Sequence, residues 1–109
     1  MEKEQPVFAI IQGCLKPDGE ATYQKYLQGV APLMKEYEVE IIAFGAGFES
    51  EHTNTIFPIN GVLKAPNKSV FENFLSDERY IELKKNYRDV AYQELRLSVF
   101  QTGFPRKVE

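Results

Sequence analysis

The pattern of apolar and polar positions predicts four β-strands and two helical regions in the order βαββαβ. Runs rich in β-branched and aromatic residues over 6–15, 39–44 and 56–63 are typical of strands, and Leu95, Leu97 and Val99 alternate with other residues in a fourth. Apolar residues recur at three- and four-residue steps over about 19–37 and again from 69 to about 90, as on one helix face. Pro58 cannot donate a ladder hydrogen bond, so it is expected at an edge, an end or a bulge.

Polar residues and prolines mark where the helices are expected to begin or weaken. Ser69 and Glu72 have the spacing of a capping box, and Ser76 is expected to cap a second segment with an acidic first turn. Asp77 is interpreted as a helix cap rather than a catalytic base. Pro32 predicts a kink or a weak turn in the first helix, because it lacks the N–H that a helix interior uses. The apolar stripe of the last helical segment is expected at Tyr80, Leu83, Tyr87 and Val90.

This element order predicts an α+β, ferredoxin-like fold, in which both helical regions cover one face of a four-stranded antiparallel sheet. The first strand is nevertheless apolar on both sides, and the second strand is expected to place Val39 and Ile41 opposite Ile42 and Phe44. An uncovered apolar patch of this kind marks an interface. We therefore expect a homodimer formed through the open sheet face.

Composition narrows the class further. With 109 residues, 43% of them hydrophobic and 27% charged, the chain is expected to form one domain, 1–109, with a core at about 6–102 and a tail at 103–109. A net charge of −3 argues against a nucleic-acid partner. A single cysteine, Cys14, and a single histidine, His52, offer neither an internal disulfide nor a zinc ligand set. Neither a signal peptide nor a membrane-spanning run is recognisable, so we expect a cytoplasmic protein without membrane attachment.

Several segments together resemble a family of small uncharacterised bacterial proteins in the dimeric α/β-barrel superfamily. They are Tyr23-x-x-Tyr26, Ala31-Pro32-Leu33, and the run from Phe74 to Leu83 followed by Arg88. The likeness covers about residues 6–102 and implies the fold and a dimer, not a reaction. Superfamily relatives include cofactor-free monooxygenases, haem-degrading enzymes and muconolactone-isomerase-like proteins. Family members often carry a Gly-Gly pair before the second strand, where this chain has Tyr37-Glu38-Val39.

His52 is the candidate catalytic residue, since its ordinary pKa of roughly 6.5 suits proton transfer near neutrality. It lies in the polar loop between the second and third strands, with Glu49, Glu51 or Asn54 available to orient the ring. The alternative is an exposed loop histidine without a role. Cys14 is interpreted as a small packed side chain rather than a nucleophile.

Arg88 is the candidate anchor for an anionic ligand, because a guanidinium grips a carboxylate through two hydrogen bonds. Tyr26 and Tyr80 are expected beside it, as aromatic walls of a ligand-binding pocket between helices and sheet. The alternative is a structural ion pair of Arg88 with Asp77 or Asp89 and tyrosines that only fill the core.

Two functions fit these observations. The first is a dimeric small-molecule-binding protein that uses the helix–sheet pocket. The second is a cofactor-independent enzyme, monooxygenase- or isomerase-like, acting on a small aromatic or carboxylated metabolite, with His52 or a tyrosine moving a proton. No cofactor or metal is expected in either case.

Overall fold

A computed structural model describes residues 5–51 and 53–103, and it has the predicted βαββαβ order. The strands are β1 (Val7–Leu15), β2 (Glu40–Gly45), β3 (Ile59–Ala65) and β4 (Tyr92–Gln101), and the first helix is α1 (Glu20–Glu36). The second helical region comprises α2 (Lys68–Ser76), α3 (Glu78–Leu83), a π-helical turn (Lys84–Arg88) and α4 (Asp89–Ala91). The third strand begins at Ile59 rather than at residue 56, which leaves Pro58 just outside it, as a residue without an N–H requires.

The four strands form one antiparallel sheet in the order β2-β3-β1-β4. β1 lies in the interior and pairs with β3 on one side and β4 on the other. The first half of the chain therefore contributes the inner strand β1 and the outer strand β2, and the second half contributes the inner strand β3 and the outer strand β4. This arrangement confirms the predicted ferredoxin-like α+β fold.

The helices pack on one face of the sheet and form two clusters of buried residues there. The larger cluster joins β1, α1, β3 and α2, and it ends at Tyr80 of α3. The smaller one consists of Tyr23, Ala91 and Tyr92. Tyr26 packs against both clusters, so it marks the place where they meet.

The helix caps differ in part from the prediction. The Asn67 side chain accepts a hydrogen bond from the Val70 backbone N–H at 2.9 Å, so Asn67 and not Ser69 caps α2. Asn67 has the extended backbone that an N-cap needs, whereas Ser69 already lies inside the helix. Asp77 caps α3, as predicted, by accepting from the Arg79 backbone N–H at 2.8 Å. The predicted cap at Ser76 is wrong, because that residue ends α2.

The turn between α1 and β2 forms without the glycine pair that members of the resembled family often carry before the second strand. Glu38 has φ +58°, the only positive φ of a non-glycine residue in the ranges 5–51 and 53–103. Its backbone N–H donates to the Lys35 carbonyl at 3.1 Å and closes the helix end. Glycine adopts this left-handed backbone without the steric cost that a Cβ brings, so this chain holds the turn at some expense in stability.

The π-helical turn changes which side chains of the last helical segment face the sheet. A π turn holds one residue more than an α turn, so every residue beyond it moves by one position around the helix. Ala91 is fully buried and Val90 is half-exposed, the reverse of the predicted stripe. In a continuous α-helix, residue 87 would lie about two turns beyond Tyr80 and on the same face. The extra residue of the π turn puts Arg88 in that position instead.

A bulge in β2 has a similar effect on the sheet. Ile41 pairs with Leu63 and Ala43 with Val62, so Ile42 is the extra residue between them. Phe44 then pairs with Gly61 and faces the helices together with Ile41. The prediction that Phe44 lies opposite Ile41 is therefore wrong, because strict alternation does not survive a bulge.

The sheet face away from the helices carries an apolar centre with polar residues around it. Phe8 and Phe100 stack with their ring centroids 5.5 Å apart, and the next pairs along β1 place Ile10 beside Val62. Gln12 and Lys64 lie on the same face, one towards each end. The predicted apolar open face is thus present at the centre of the sheet, although its rim is polar.

Candidate functional site

A cavity of about 80 Å³ lies between the helices and the sheet. Its floor is one row of side chains that crosses all four strands, since Ile11 pairs with both Leu97 and Gly61, and Gly61 with Phe44. Gly61 has no side chain, which leaves space at the middle of this floor. A Cβ at this position would come within 3.1 Å of the Phe44 ring. The remaining walls come from α1 and the second helical region.

Arg88, Tyr26 and Tyr80 meet at one end of this cavity, as predicted. Arg88 Nη1 donates to the Tyr80 hydroxyl at 2.9 Å, and the Tyr26 hydroxyl lies near that of Tyr80. The chain places Tyr26 on α1, Tyr80 on α3 and Arg88 at the end of the π turn, so three elements converge on this point. Their role in ligand binding stays a prediction.

Two further tyrosines line the cavity. The rings of Tyr23 and Tyr92 meet edge to face with their centroids 5.4 Å apart. The sequence pattern predicts Tyr23 on the apolar face of α1 and in the Tyr23-x-x-Tyr26 motif, not in the site, and it does not indicate Tyr92, which precedes the alternation that marks β4. A glycine on the neighbouring strand was the available signal: a Cβ at Gly13 would come within 2.8 Å of the Tyr92 ring.

Arg88 already has a carboxylate partner. Its Nε and Nη2 both lie 3.1 Å from one oxygen of Asp89. The Arg88 side chain is 14% exposed and that of Asp89 51% exposed, so the pair spans the boundary between cavity and solvent. Of the two predicted ion-pair partners, Asp89 is therefore the actual one. Asp77 is engaged elsewhere, with the Arg79 guanidinium at 2.8 and 3.0 Å.

Burial sets the protonation states in the cavity. It raises the pKa of Tyr26 and Tyr92 far above the usual range and also raises the pKa of Tyr23, because a buried phenolate loses its hydration. Burial by itself lowers the pKa of Arg88, but the nearby Tyr80 and Asp89 outweigh it and the pKa is raised. At neutral pH the tyrosines are therefore protonated and the guanidinium is charged.

The other candidate residues do not join this cavity. His52 lies outside the described residues, and its catalytic role stays a prediction. Cys14 is half-buried on β1 and pairs across the sheet with Glu94, on the face away from the helices. Among residues 5–51 and 53–103, no three His, Cys, Asp or Glu side chains are grouped so as to hold a metal ion. None of the helices in these ranges is both long and apolar enough to cross a membrane.

Fold and cavity together define a ferredoxin-like α+β domain with a small chamber between helices and sheet, and solved structures share this fold. A protein of unknown function from Rhodopseudomonas palustris matches with a TM-score of 0.79 at 18% identity, over 94% of this chain and 86% of the other. A dimeric ferredoxin-like protein of unknown function from Thermobifida fusca matches with a TM-score of 0.64 at 10% identity, over 94% and 95% of the two chains.

A third match is a Bacteroides thetaiotaomicron protein with the provisional name antibiotic biosynthesis monooxygenase. Its TM-score is 0.62 at 14% identity, over 95% of this chain and 96% of the other. No family model and no curated protein matches the sequence. At these identities the matches establish the fold, which is that of ferredoxin-like proteins of uncharacterised function, in agreement with the resemblance found in the sequence.

Proposed function

We propose that this chain is a homodimeric small-molecule-binding protein whose ligand occupies the cavity between helices and sheet. The observation that supports this most is an apolar chamber with Arg88, Tyr26 and Tyr80 converging at one end. Ligand sites combine apolar walls with a few placed polar groups in this way. Arg88 is 14% exposed and reaches the edge of this chamber, where a charged group is costly to place unless it is paired or used.

Blocking the floor of the cavity tests the proposal. Gly61→Val adds two methyl groups where even a Cβ contacts the Phe44 ring, whereas a Cβ at Gly45 meets nothing within 4 Å. A library of small metabolites is screened by ligand-observed NMR against the wild type, Gly61→Val and the control Gly45→Val. We expect hits that bind the wild type and the control but not Gly61→Val. Hits that bind all three equally would contradict the assignment to this cavity.

The proposed dimer forms through the sheet face away from the helices. Phe8, Ile10, Val62 and Phe100 give that face an apolar centre, and the Thermobifida fusca protein of the same fold is described as dimeric. Burying such a patch against a second copy removes it from water.

Size-exclusion chromatography with light scattering tests the dimer. Phe100→Glu places a charge in the proposed interface, and Ile81→Glu is a matched control on α3, because each residue is 48% exposed. We expect a dimer for the wild type and Ile81→Glu and a monomer for Phe100→Glu. A monomeric wild type, or equal behaviour of the two variants, would contradict this arrangement.

An enzyme without a cofactor is the second candidate, and the Tyr80 hydroxyl is the observation in its favour. Arg88 donates to the Tyr80 oxygen and offers no acceptor, so this hydrogen bond leaves the Tyr80 hydroxyl proton available to a bound molecule. If a converted substrate is found, Tyr80→Phe and His52→Ala separate the two predicted proton donors. Loss of turnover in only one of the folded variants identifies the group, and normal turnover in both would refute the two assignments.

A further inference from the structure

We infer that the cavity takes a neutral molecule with a compact apolar body and one hydrogen-bond-accepting oxygen, such as a ketone, in preference to a carboxylate. This inference rests on the proposed binding function and specifies its ligand class. It departs from the expectation that Arg88 grips an anion, and three features of the site carry it.

The first feature is charge balance. Arg88 is the positive group at the cavity; its Nε donates to an Asp89 oxygen at 3.1 Å, and its Nη2 lies 3.1 Å from the same oxygen. The Nε–Nη2 edge, one of those by which a guanidinium holds a carboxylate, is therefore engaged by Asp89. A bound anion would have to compete with Asp89 or remain without full compensation in a largely apolar chamber, which is unfavourable.

The second feature is a proton without an acceptor. The Tyr80 oxygen accepts from Arg88 Nη1, and a guanidinium offers no acceptor in return. Tyr26 and Tyr80 hold two hydroxyl protons, and at most one of them is used between the two neighbouring oxygens. The other proton is left to donate at the polar end of the cavity. A carbonyl oxygen accepts it and brings no charge.

The third feature is the character and size of the chamber. Ile11, Leu97 and Phe44 form an apolar floor, so the body of the ligand meets hydrocarbon. A volume of about 80 Å³ is smaller than the roughly 150 Å³ of a cavity known to hold benzene. The body of the ligand is therefore smaller than benzene, with fewer than about six non-hydrogen atoms. Burial also raises the pKa of Tyr26, which indicates that the same surroundings disfavour an anion.

Two compounds of nearly equal shape test the inference. Isobutyrate and 3-methyl-2-butanone differ in that a carboxylate oxygen of the first is a methyl group in the second. Both are titrated at pH 7 into the full chain with backbone and tyrosine-ring NMR signals as the readout. We expect the ketone to bind at least fivefold more tightly to the wild type and to lose this binding in Gly61→Val.

A change of charge at Asp89 makes the test sharper. Asp89→Asn removes the negative charge beside Arg88 without changing the size of the side chain, so we expect isobutyrate to gain at least fivefold in affinity while the ketone changes little. The matched control is Glu72→Gln on α2, an exposed acid whose ion pair with Lys68 at 3.8 Å lies on its own helix. This control should leave both affinities unchanged.

The outcomes separate the inference from the proposed function. If wild type binds isobutyrate as tightly as the ketone, or if Asp89→Asn gains no affinity for it, the neutral-ligand inference is overturned while binding in the cavity stands. If neither compound binds but library compounds still occupy the cavity, the inference alone fails. If neither these compounds nor the library depend on Gly61, the proposed function fails as well.

Discussion

The π-helical turn at Lys84–Arg88 leads to a prediction about shortening the chain by one residue. The turn holds one residue more than an α-helix needs, so deleting Asn86 is expected to convert it to a regular turn. Arg88 then keeps its place beside Tyr80, and Ala91 keeps its place in the core. Deleting Gln28 from the regular helix α1 cannot be absorbed in this way, because every residue of the helix beyond position 28 rotates by about 100°.

The structure gives the expected magnitudes. Asn86 is exposed and loses one hydrogen bond, from its Nδ2 to a Glu82 oxygen at 3.0 Å, which is worth about 0.2–0.5 kcal/mol on a helix surface. Deleting Gln28 turns the buried Val30, Leu33 and Met34 away from the core. At about 1.5–3 kcal/mol each, their loss approaches the 5–15 kcal/mol that a domain of this kind typically has.

Urea unfolding followed by circular dichroism measures both variants. We expect the Asn86 deletion to unfold cooperatively with a free energy of unfolding within about 1 kcal/mol of the wild type. The Gln28 deletion should be largely unfolded without denaturant. If the Asn86 deletion is as damaging as the Gln28 deletion, the extra residue of the π turn does not set the register of Arg88 and the reasoning is refuted.

Three further predictions concern stability. Phe74→Ala should lower the free energy of unfolding in urea by about 3–5 kcal/mol, because Phe74 is only 2% exposed. Phe48→Ala should lower it by less than about 0.5 kcal/mol, because Phe48 is 88% exposed. Similar values for both variants would contradict the assigned core. Glu38→Gly should stabilise by about 0.5–1 kcal/mol by relieving the left-handed backbone, and a lower thermal midpoint would argue against that strain. The Arg79 guanidinium holds the pKa of Asp77 well below its usual range, so its stabilisation is present above about pH 4 and fades as the pH falls. Asp77→Asn should therefore lose less stability than the wild type between pH 5 and pH 2, in urea titrations at each of the two pH values; an equal loss would be inconsistent with this pairing.

Much of the fold was predictable because it depends on local periodicity. The order of strands and helices follows from runs of two-residue and three-to-four-residue spacing, and each of these patterns is independent of distant residues. The cap at Asp77 was predictable for the same reason, since it involves only the next two residues. The apolar centre of the open sheet face also followed from strand composition.

The departures from periodicity were not predictable in this way. The bulge at Ile42 and the π turn each insert one residue, and each moves the side chains beyond it to another face. Such insertions are tolerated because packing across the domain compensates for the irregular backbone, and that packing involves residues far apart in sequence. Phe44 and Val90 were therefore assigned to the wrong faces.

The sequence by itself determined that Tyr26, Tyr80 and Arg88 lie on the helices of a ferredoxin-like domain. Only the tertiary structure decided what they do to one another, because Tyr26 comes to Tyr80 from a helix more than fifty residues away along the chain and the π turn sets Arg88 beside Tyr80. It also decided that Tyr23 and Tyr92 complete the cavity and that Asp89 neutralises Arg88. The charge of a site depends on which groups come within a few ångströms, and distances of that kind are set by packing rather than by spacing along the chain.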